Sequence, residues 1–185
     1  MEIIKKNNLK EIFTALKKGA VLVFPTDTVY GLICDAANKK AVEKIFKVKK
    51  REKTKPLGIF VKSVNDINKF AILGKDQSVI FKDNKITGIL KTRKKNLSKL
   101  VYKKNTIGIR IPKYKLLNTI LDKFNRPLAQ TSANISGKPA TTKIKYILRQ
   151  FKNEDVLIVD VGDLPKNKPS SIIDLTDNNI NIIRK

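Results

Sequence analysis

Short apolar runs alternate with amphipathic segments along most of this chain. Runs rich in β-branched and aromatic residues, such as 20–24, are typical of buried strands, whereas apolar positions three and four apart, as at 9–16, indicate helices. The helical spacing predicts helices at residues 9–16, 39–48, 64–70, 116–124 and 142–151. The short apolar or alternating runs predict strands at residues 20–24, 57–61, 86–90, 106–111, 127–130, 156–161, 171–175 and 180–183.

This order of elements predicts the fold class. Strands separated by helices with one apolar face indicate an α/β layer fold with a mostly covered sheet. The closely spaced strands after residue 156 predict that the sheet is mixed and not purely parallel. Because the chain shows no internal repeat, low-complexity linker or change of composition, we predict one domain over residues 1–185.

Two scarce residue types restrict the chemistry. Histidine is absent and Cys34 is the one cysteine, which excludes Ser-His-Asp and Cys-His catalysis and zinc sites built from histidines or several thiolates. Catalysis would have to use Lys, Arg, carboxylates, hydroxyls, backbone amides or Mg²⁺. Cys34 cannot form an internal disulfide, no apolar run approaches the roughly 20 residues that cross a bilayer, and the first residues lack a signal-peptide core. We therefore expect a cytoplasmic protein with no membrane contact.

The formal charge of +24 is the strongest compositional feature. Such a charge favours attraction to polyanions, either nucleotide phosphates or RNA. Lysine supplies 34 of the 40 basic residues, alongside much Asn and Ile, and an AT-rich genome would encode the same trio. Net charge therefore does not decide between a functional and a genomic origin for most of these lysines.

A polar segment, residues 25–32, follows the apolar run 20–24 directly. Ligands of open α/β sheets bind just beyond strand ends, and the side chains of Thr26, Asp27, Thr28 and Tyr30 could hydrogen-bond a polar substrate. The same residues also suit a turn in which Asp and Thr satisfy the local backbone. The residues alone leave both interpretations open.

A basic segment, residues 47–57, lies at the end of a predicted helix. Cations there complement the helix C-terminus, and a charge run is usually a solvated face. Lys49 and Arg51 could also converge on phosphate oxygens if the backbone between them is not helical, with Arg51 supplying a planar fork and Lys49 a point charge.

A third segment, residues 131–139, is dense in Ser, Thr, Asn and Gly directly after a predicted strand. This composition suits a loop that cradles a nucleotide, or an ordinary loop that caps the next helix. The segment is not a Walker A motif, because Pro139 follows Lys138 where Ser or Thr is required, and no Gly-x-Gly-x-x-Gly run exists elsewhere.

Together these segments resemble the threonylcarbamoyl-AMP synthase family, which has the YrdC-type fold. The family's marks are a Pro-Thr-x-Thr-Val-Tyr-Gly segment, a Lys-x-Arg pair, a Ser-x-Asn pair and a late Pro-Ser-Ser/Thr-Ile/Val-Ile/Val-Asp segment. Their order and spacing fit this chain over about residues 10–185. They stand here as residues 25–31, Lys49 with Arg51, Ser132 with Asn134, and residues 169–174.

The resemblance implies a twisted mixed sheet, flanked by helices, around a deep electropositive cavity that holds ATP and threonine. It implies catalytic roles for Lys49 and Arg51. It implies ATP contacts at Lys49, Arg51, Thr106, Arg110, Ser132, Asn134 and Arg184. It implies threonine contacts at Thr26, Thr28, Tyr30, Ser136 and Ser170, of which Ser136 could serve either substrate. No metal ligand is expected from protein side chains, and Mg²⁺ would arrive with ATP.

The reaction implied by the resemblance forms threonylcarbamoyl-AMP and pyrophosphate from L-threonine, bicarbonate or CO₂, and ATP. The product would pass to a separate transferase complex that modifies adenosine beside the tRNA anticodon. The substrate carbamate is the nucleophile, so a chain without histidine needs to supply only proximity and charge stabilisation. Two departures stand out: Glu52 occupies a position where many members have Pro, and Phe60 one where many have His. Phe60 leaves open which residue replaces that histidine contact to threonine.

Two other functions are compatible with parts of this sequence. The charge of +24 favours a non-catalytic RNA-binding module, but the chain has no Trp, only 6% aromatic residues and no RNA-binding signature. Weak tRNA contact by surface lysines is compatible with synthesis in the cavity. The second rival is a carbamoyl-adenylate-forming relative that uses carbamoyl phosphate, and such domains usually sit inside much longer chains.

Overall fold

The computed structural model describes residues 2–5, 8–82, 85–177 and 180–184. In this part of the chain the helices are α1 (Leu9–Lys17), α2 (Lys39–Lys49), α3 (Val64–Phe70), α4 (Lys115–Phe124) and α5 (Ile144–Phe151). The strands are β1 (Glu2–Lys5), β2 (Leu22–Phe24), β3 (Gly31–Asp35), β4 (Gly58–Phe60), β5 (Ala71–Ile72), β6 (Ile86–Thr92), β7 (Tyr102–Lys103), β8 (Thr106–Arg110), β9 (Leu128–Ser132), β10 (Leu157–Asp160), β11 (Ser171–Asp174) and β12 (Asn181–Arg184). Two 3₁₀ helices cover Asp76–Lys82 and Lys99–Val101.

All the strands join one mixed sheet, and the predicted fold class is confirmed. The strand order is β1-β10-β2-β3-β9-β4-β8-β6-β11-β12, with β5 on β6 and β7 on β8. Parallel pairs such as β4 with β8 and β11 with β6 sit beside antiparallel pairs such as β6 with β8. The sheet is therefore mixed along its whole width and not only near the C-terminus.

The predicted elements are found with shifted ends, and four strands were missed: β1, β3 and the two-residue strands β5 and β7. The sequence predicted a loop through Gly31, but Gly31 begins β3, whose five residues are all buried between β2 and β9. Turn-forming residues at 26–31 made this stretch look like a loop through Gly31. In the structure the turn ends at Tyr30, and Gly31 already belongs to the strand. β1 was also missed, since its four residues include a single buried side chain, Ile4. The strand predicted at 86–90 extends through Thr92 of the expected charged loop.

Alternate side chains of the central strands enter two cores on opposite faces of the sheet. On β2, Val23 joins the core that includes α2 and α5 residues, whereas Leu22 and Phe24 join the core covered by α1 and α4. This alternation follows from the two-residue period of a strand. No helix within the described ranges is long and apolar enough to cross a bilayer.

Candidate active site

A cavity of about 380 Å³ opens on one face of the sheet, within the size range of small-molecule sites. On β8, Thr106, Gly108 and Arg110 line the cavity, whereas the alternate residues Ile107 and Ile109 are buried in the core on the other face. Strand periodicity therefore places polar groups in the cavity and apolar groups behind it.

Two glycines leave space on the cavity floor. A Cβ on Gly108 would lie 3.7 Å from the Cα of Gly58 on the neighbouring strand and 3.6 Å from Thr87 Cγ2. A Cβ on Gly58 would come within 2.7 Å of Gln130 Nε2 and 3.2 Å of the Gly108 carbonyl oxygen. Because neither glycine carries a side chain, the strands can approach closely while the floor stays open.

The strand register places the polar lining residues at two opposite ends of the cavity. Thr106 and Arg110 lie four residues apart on β8, which corresponds to about 13 Å along the strand. The basic end, beside Thr106, is defined by Arg51, Lys55, Lys103, Thr106 and Ser132. The hydroxyl end, beside Arg110, is defined by Thr28, Thr87, Arg110, Ser170 and Arg184.

Arg51 lies at the basic end because the chain turns sharply after α2. Lys50 adopts a left-handed conformation, with φ of 51°, and sends Lys49 and Arg51 in different directions. Arg51 donates from Nε to the Lys55 carbonyl at 2.7 Å and from Nη2 to the Pro56 carbonyl at 3.0 Å. These contacts use two of its five N–H donors. Burial lowers the pKa of Arg51, with Glu52 opposing the shift, but a guanidinium stays charged at neutral pH.

Lys49 is buried behind the cavity wall and is not among the lining residues. Its Nζ lies 2.8 Å from the Ser132 carbonyl oxygen, 2.9 Å from the Asn134 carbonyl oxygen and 2.8 Å from Asn134 Oδ1. Ser132 Oγ in turn donates to Asn134 Oδ1 at 2.6 Å. Desolvation by burial, aided by repulsion from Arg51, lowers the pKa of Lys49 to about 7. Lys49 therefore fastens the 132–134 loop, which carries Ser132 to the cavity.

Thr26 braces the loop that precedes β3. Its Oγ1 donates to the Val29 carbonyl at 2.7 Å and accepts from the Thr28 backbone N–H at 3.1 Å. Because the single proton of Thr26 is used this way, Thr28 must be the donor in the 3.1 Å contact between the two hydroxyls. The hydroxyl of Thr26 thus satisfies backbone groups of its own loop, as expected if this segment is a turn.

Arg110 joins this loop to β8. Its Nη1 donates to Thr28 Oγ1 at 3.0 Å, and its Nη2 contacts Asp27 Oδ2 at 2.8 Å in an almost fully buried ion pair. Burial lowers the pKa of Arg110, and the Asp27 carboxylate opposes that shift. The guanidinium also lies 5.7 Å from the ring centroid of Phe60, within cation–π range. Phe60, in the place of the family histidine, thus packs against a cation.

Ser170 and Arg184 complete the hydroxyl end from the last two strands. Ser170 Oγ lies 2.9 Å from Thr87 Oγ1, and Arg184 donates from Nη2 to the Ser170 carbonyl oxygen at 2.6 Å. Register pairs Thr87 with Ile172, and Ile172 with Arg184. The pairing of Gly88 with Ile109 brings the next residues, Thr87 and Arg110, to neighbouring positions on β6 and β8. A lateral row across β8, β6, β11 and β12 therefore runs from Arg110 through Thr87 and Ile172 to Arg184.

Tyr30 and Ser136 differ from the other residues expected to contact threonine. The phenol of Tyr30 is completely buried and donates to the Gly162 carbonyl at 2.6 Å, and burial raises its pKa to about 12. It ties the residue that precedes β3 to the loop that follows β10. Ser136 is exposed and is not among the lining residues; its backbone N–H donates to the Lys49 carbonyl at 2.8 Å.

The structure gathers most of the predicted site residues around one cavity. Those that line it are Thr26, Thr28, Tyr30, Arg51, Thr106, Arg110, Ser132, Ser170 and Arg184. Lys49, Asn134 and Ser136 lie outside the lining. Sequence reasoning did not single out Lys55, Thr87, Lys103 or Gln130, which also line it. Alternation along 86–90 could have placed Thr87 opposite the buried Leu90, but not beside Ser170.

The side chains that line the cavity carry positive but no negative formal charge. Arg51, Lys55, Lys103, Arg110 and Arg184 are lining residues, and none of the lining residues in the described chain is Asp or Glu. No group of three or more Asp, Glu, His or Cys side chains suited to a metal ion occurs in the described ranges. The cavity is therefore lined by hydroxyl groups and cationic side chains, which suit the binding of a polyanion.

Sheet, cavity and lining together define an α/β protein with a ligand site built on the face of its sheet. The Sua5/YciO/YrdC sequence profile, described as "Telomere recombination", matches residues 14–185. The chain belongs to this family.

Named relatives cover nearly all of the chain. A Methanocaldococcus jannaschii protein, provisionally named a threonylcarbamoyl-AMP synthase, is 35% identical over 98% of this chain and 89% of its own length. The threonylcarbamoyl-AMP synthase of Pseudoalteromonas translucida is 29% identical over 91% of this chain and 94% of its own length.

Solved structures share the fold. Pyrococcus abyssi Sua5 complexed with L-threonine has a TM-score of 0.90 and 26% identity over all of this chain, which spans 57% of that longer protein. Escherichia coli YciO has a TM-score of 0.88 at 24% identity and spans 94% of its length, a likeness of fold.

Proposed function

We propose that this chain is a threonylcarbamoyl-AMP synthase, a nucleotidyltransferase that joins L-threonine, bicarbonate or CO₂, and ATP. The observation that carries the proposal is the cavity, in which predicted substrate residues from distant segments form a basic end and a hydroxyl end about 13 Å apart. The relatives named for this activity, and the threonine complex of P. abyssi Sua5, support the same assignment.

The chemistry fits the groups available. The threonine amine adds to CO₂ with release of a proton to water, or to bicarbonate with loss of water, and gives a carbamate. A carbamate oxygen then forms a bond to the α-phosphorus of ATP while the bond to pyrophosphate breaks. Atoms and charge balance without a covalent enzyme intermediate, so the absence of histidine is no obstacle.

Arg51, Lys55 and Lys103 at the basic end stabilise the charge that grows on the departing pyrophosphate. One well-placed cationic donor is worth about 3 kcal/mol in such a transition state. Lys49 has a different role, because its Nζ is occupied by loop oxygens. It holds Ser132 in position for the nucleotide, and its action on ATP passes through that loop.

Mg²⁺ enters with ATP as part of that substrate, and the basic lining makes the cavity electropositive. The compartment is the cytoplasm, where a transferase complex takes up the product for tRNA. Weak tRNA contact by the surface lysines belongs to the same proposal.

Pyrophosphate release from ATP, measured without RNA, tests the function. We expect release only when threonine and bicarbonate are both present, with threonylcarbamoyl-AMP identified by mass spectrometry. Carbamoyl phosphate in place of threonine and bicarbonate gives no release on this proposal. Release with carbamoyl phosphate alone would support the rival carbamoyl-adenylate activity, and tight RNA binding without any release would support the RNA-binding module.

A further inference from the structure

Two buried hydroxyls meet at the hydroxyl end of the cavity. Thr87 Oγ1 on β6 and Ser170 Oγ, one residue before β11, lie 2.9 Å apart, and both residues line the cavity. They are 7% exposed each, so whatever fills this corner of the cavity replaces water at both groups. Neither hydroxyl has a second hydrogen-bond partner among the described residues.

This pair holds one unused proton. Each hydroxyl has a single proton, and the contact between them consumes only one. The second proton is left to a ligand, together with lone pairs on both oxygens. Thr28 offers no such donor, because its proton is directed to Thr26 and its oxygen accepts from Arg110. The pair is therefore a combined donor and acceptor in the wall of the hydroxyl end.

The neighbours of the pair suit the rest of a small amino acid. Arg110, next to Thr87 in the lateral row, and Arg184, beyond Ile172, both line this end of the cavity and match the carboxylate of such a substrate. Thr87 Cγ2 lies over Gly108, and Ile172 pairs with Thr87. The methyl group of a substrate would therefore meet the apolar groups of Thr87 and Ile172. A hydroxyl beside a methyl group needs both a donor and an acceptor as well as an apolar surface.

We infer that Thr87, with Ser170, recognises the β-hydroxyl of the amino-acid substrate and sets the specificity for β-hydroxy amino acids. This inference rests on the proposed function, because it places an L-amino acid in the cavity. The pair discriminates against L-2-aminobutyrate, which has the threonine skeleton without the hydroxyl. A site that hydrogen-bonds a substrate hydroxyl rejects the analogue lacking it, since its own polar groups would stay unpaired.

The test compares Thr87→Val with the wild-type protein on two ligands, L-threonine and L-2-aminobutyrate. Calorimetric titration in the presence of a non-hydrolysable ATP analogue measures binding apart from turnover. We expect the Kd for threonine to rise about tenfold in Thr87→Val, because one hydrogen bond is lost, while the Kd for 2-aminobutyrate stays within about twofold. Ser170→Ala should show the same selective loss, and Thr87→Ser should retain most of the discrimination.

Matched controls separate recognition from structure. Thr119→Val, on the surface of α4, makes the same replacement away from the cavity and should change neither Kd. Urea unfolding of each variant checks the fold. Equal weakening of both ligands in Thr87→Val and Ser170→Ala would overturn the inference while leaving the function intact. Conversely, selective weakening in a protein that releases no pyrophosphate would support the inference and overturn the proposed function.

Discussion

The two ends of the cavity are held in place by different kinds of contact. At the basic end, Arg51 is anchored by backbone carbonyls of its own loop, within five residues of it. Lys49, behind the cavity wall, is held mostly by oxygens of one short loop. At the hydroxyl end, most of these contacts join side chains from distant segments, as between Arg110 and Thr28 and between Thr87 and Ser170, whereas Arg184 contacts the Ser170 carbonyl.

This difference predicts how each end responds to substitution. A side chain anchored on backbone oxygens leaves no partner side chain unpaired when it is removed, so a change at Arg51 should act mainly on chemistry. A change at the hydroxyl end alters the partner as well, and coupled residues are expected to give non-additive effects.

Arg51→Ala should give the largest loss. Removing this charge at the basic end is expected to lower the rate of pyrophosphate release by at least about tenfold, because the leaving group loses a cationic donor. Lys53→Ala, an exposed position two residues later, is the matched control and should leave the rate unchanged. Near-normal release by Arg51→Ala with an intact fold would remove Arg51 from the site.

Gly108→Val should weaken both ends together, since Gly108 lies on the floor between them. A Cβ fits there at ordinary contact distances of 3.6 and 3.7 Å, but the two added methyl groups take up cavity volume. We expect the KM values for ATP and threonine each to rise severalfold, with Gly108→Ala milder than Gly108→Val. A rise confined to one substrate would show that the floor is not shared, and circular dichroism checks the fold.

For Lys49 the expected effect is a change in stability, and it depends on pH. Its pKa is lowered to about 7 in the folded protein by burial, against about 10.4 for an unfolded lysine. Between those values the unfolded chain binds more protons, so the free energy of unfolding should rise with pH relative to Lys49→Met, by at most about 1.4 kcal/mol per pH unit. Urea unfolding of both proteins from pH 7 to 9 measures the difference, and a constant difference would contradict a lowered pKa.

Local patterns predicted much of the fold but little of the tertiary pairing. Helices at 39–48 and 116–124 were recognisable because their apolar faces repeat over several turns, and these faces are buried as expected. β3 was missed because Gly31 reads as the end of a turn, although long-range pairing with β9 makes it the first residue of a strand. β-structure depends on partners that the local sequence does not contain.

For the site too, the sequence predicted local segments but not the long-range pairings between them. The segments around Thr28, Arg51 and Ser132 could be named from the sequence because the family resemblance carries them, and all three residues line the cavity. Spacing alone could not show that a left-handed Lys50 would turn Lys49 into the protein and Arg51 toward the cavity. Thr87 stayed hidden inside an apolar run, since only the register with β11 brings Ser170 to it.

The lateral row of Arg110, Thr87 and Arg184 ties substrate binding to the folding of the whole sheet. Its members belong to strands far apart in the chain, and such non-local pairings form slowly because long loops must close first. A partly folded chain would therefore have the basic loop of Arg51 but no complete cavity. Ligands that need both ends bind only the finished sheet, so saturating ATP and threonine should protect even its remote strands from unfolding.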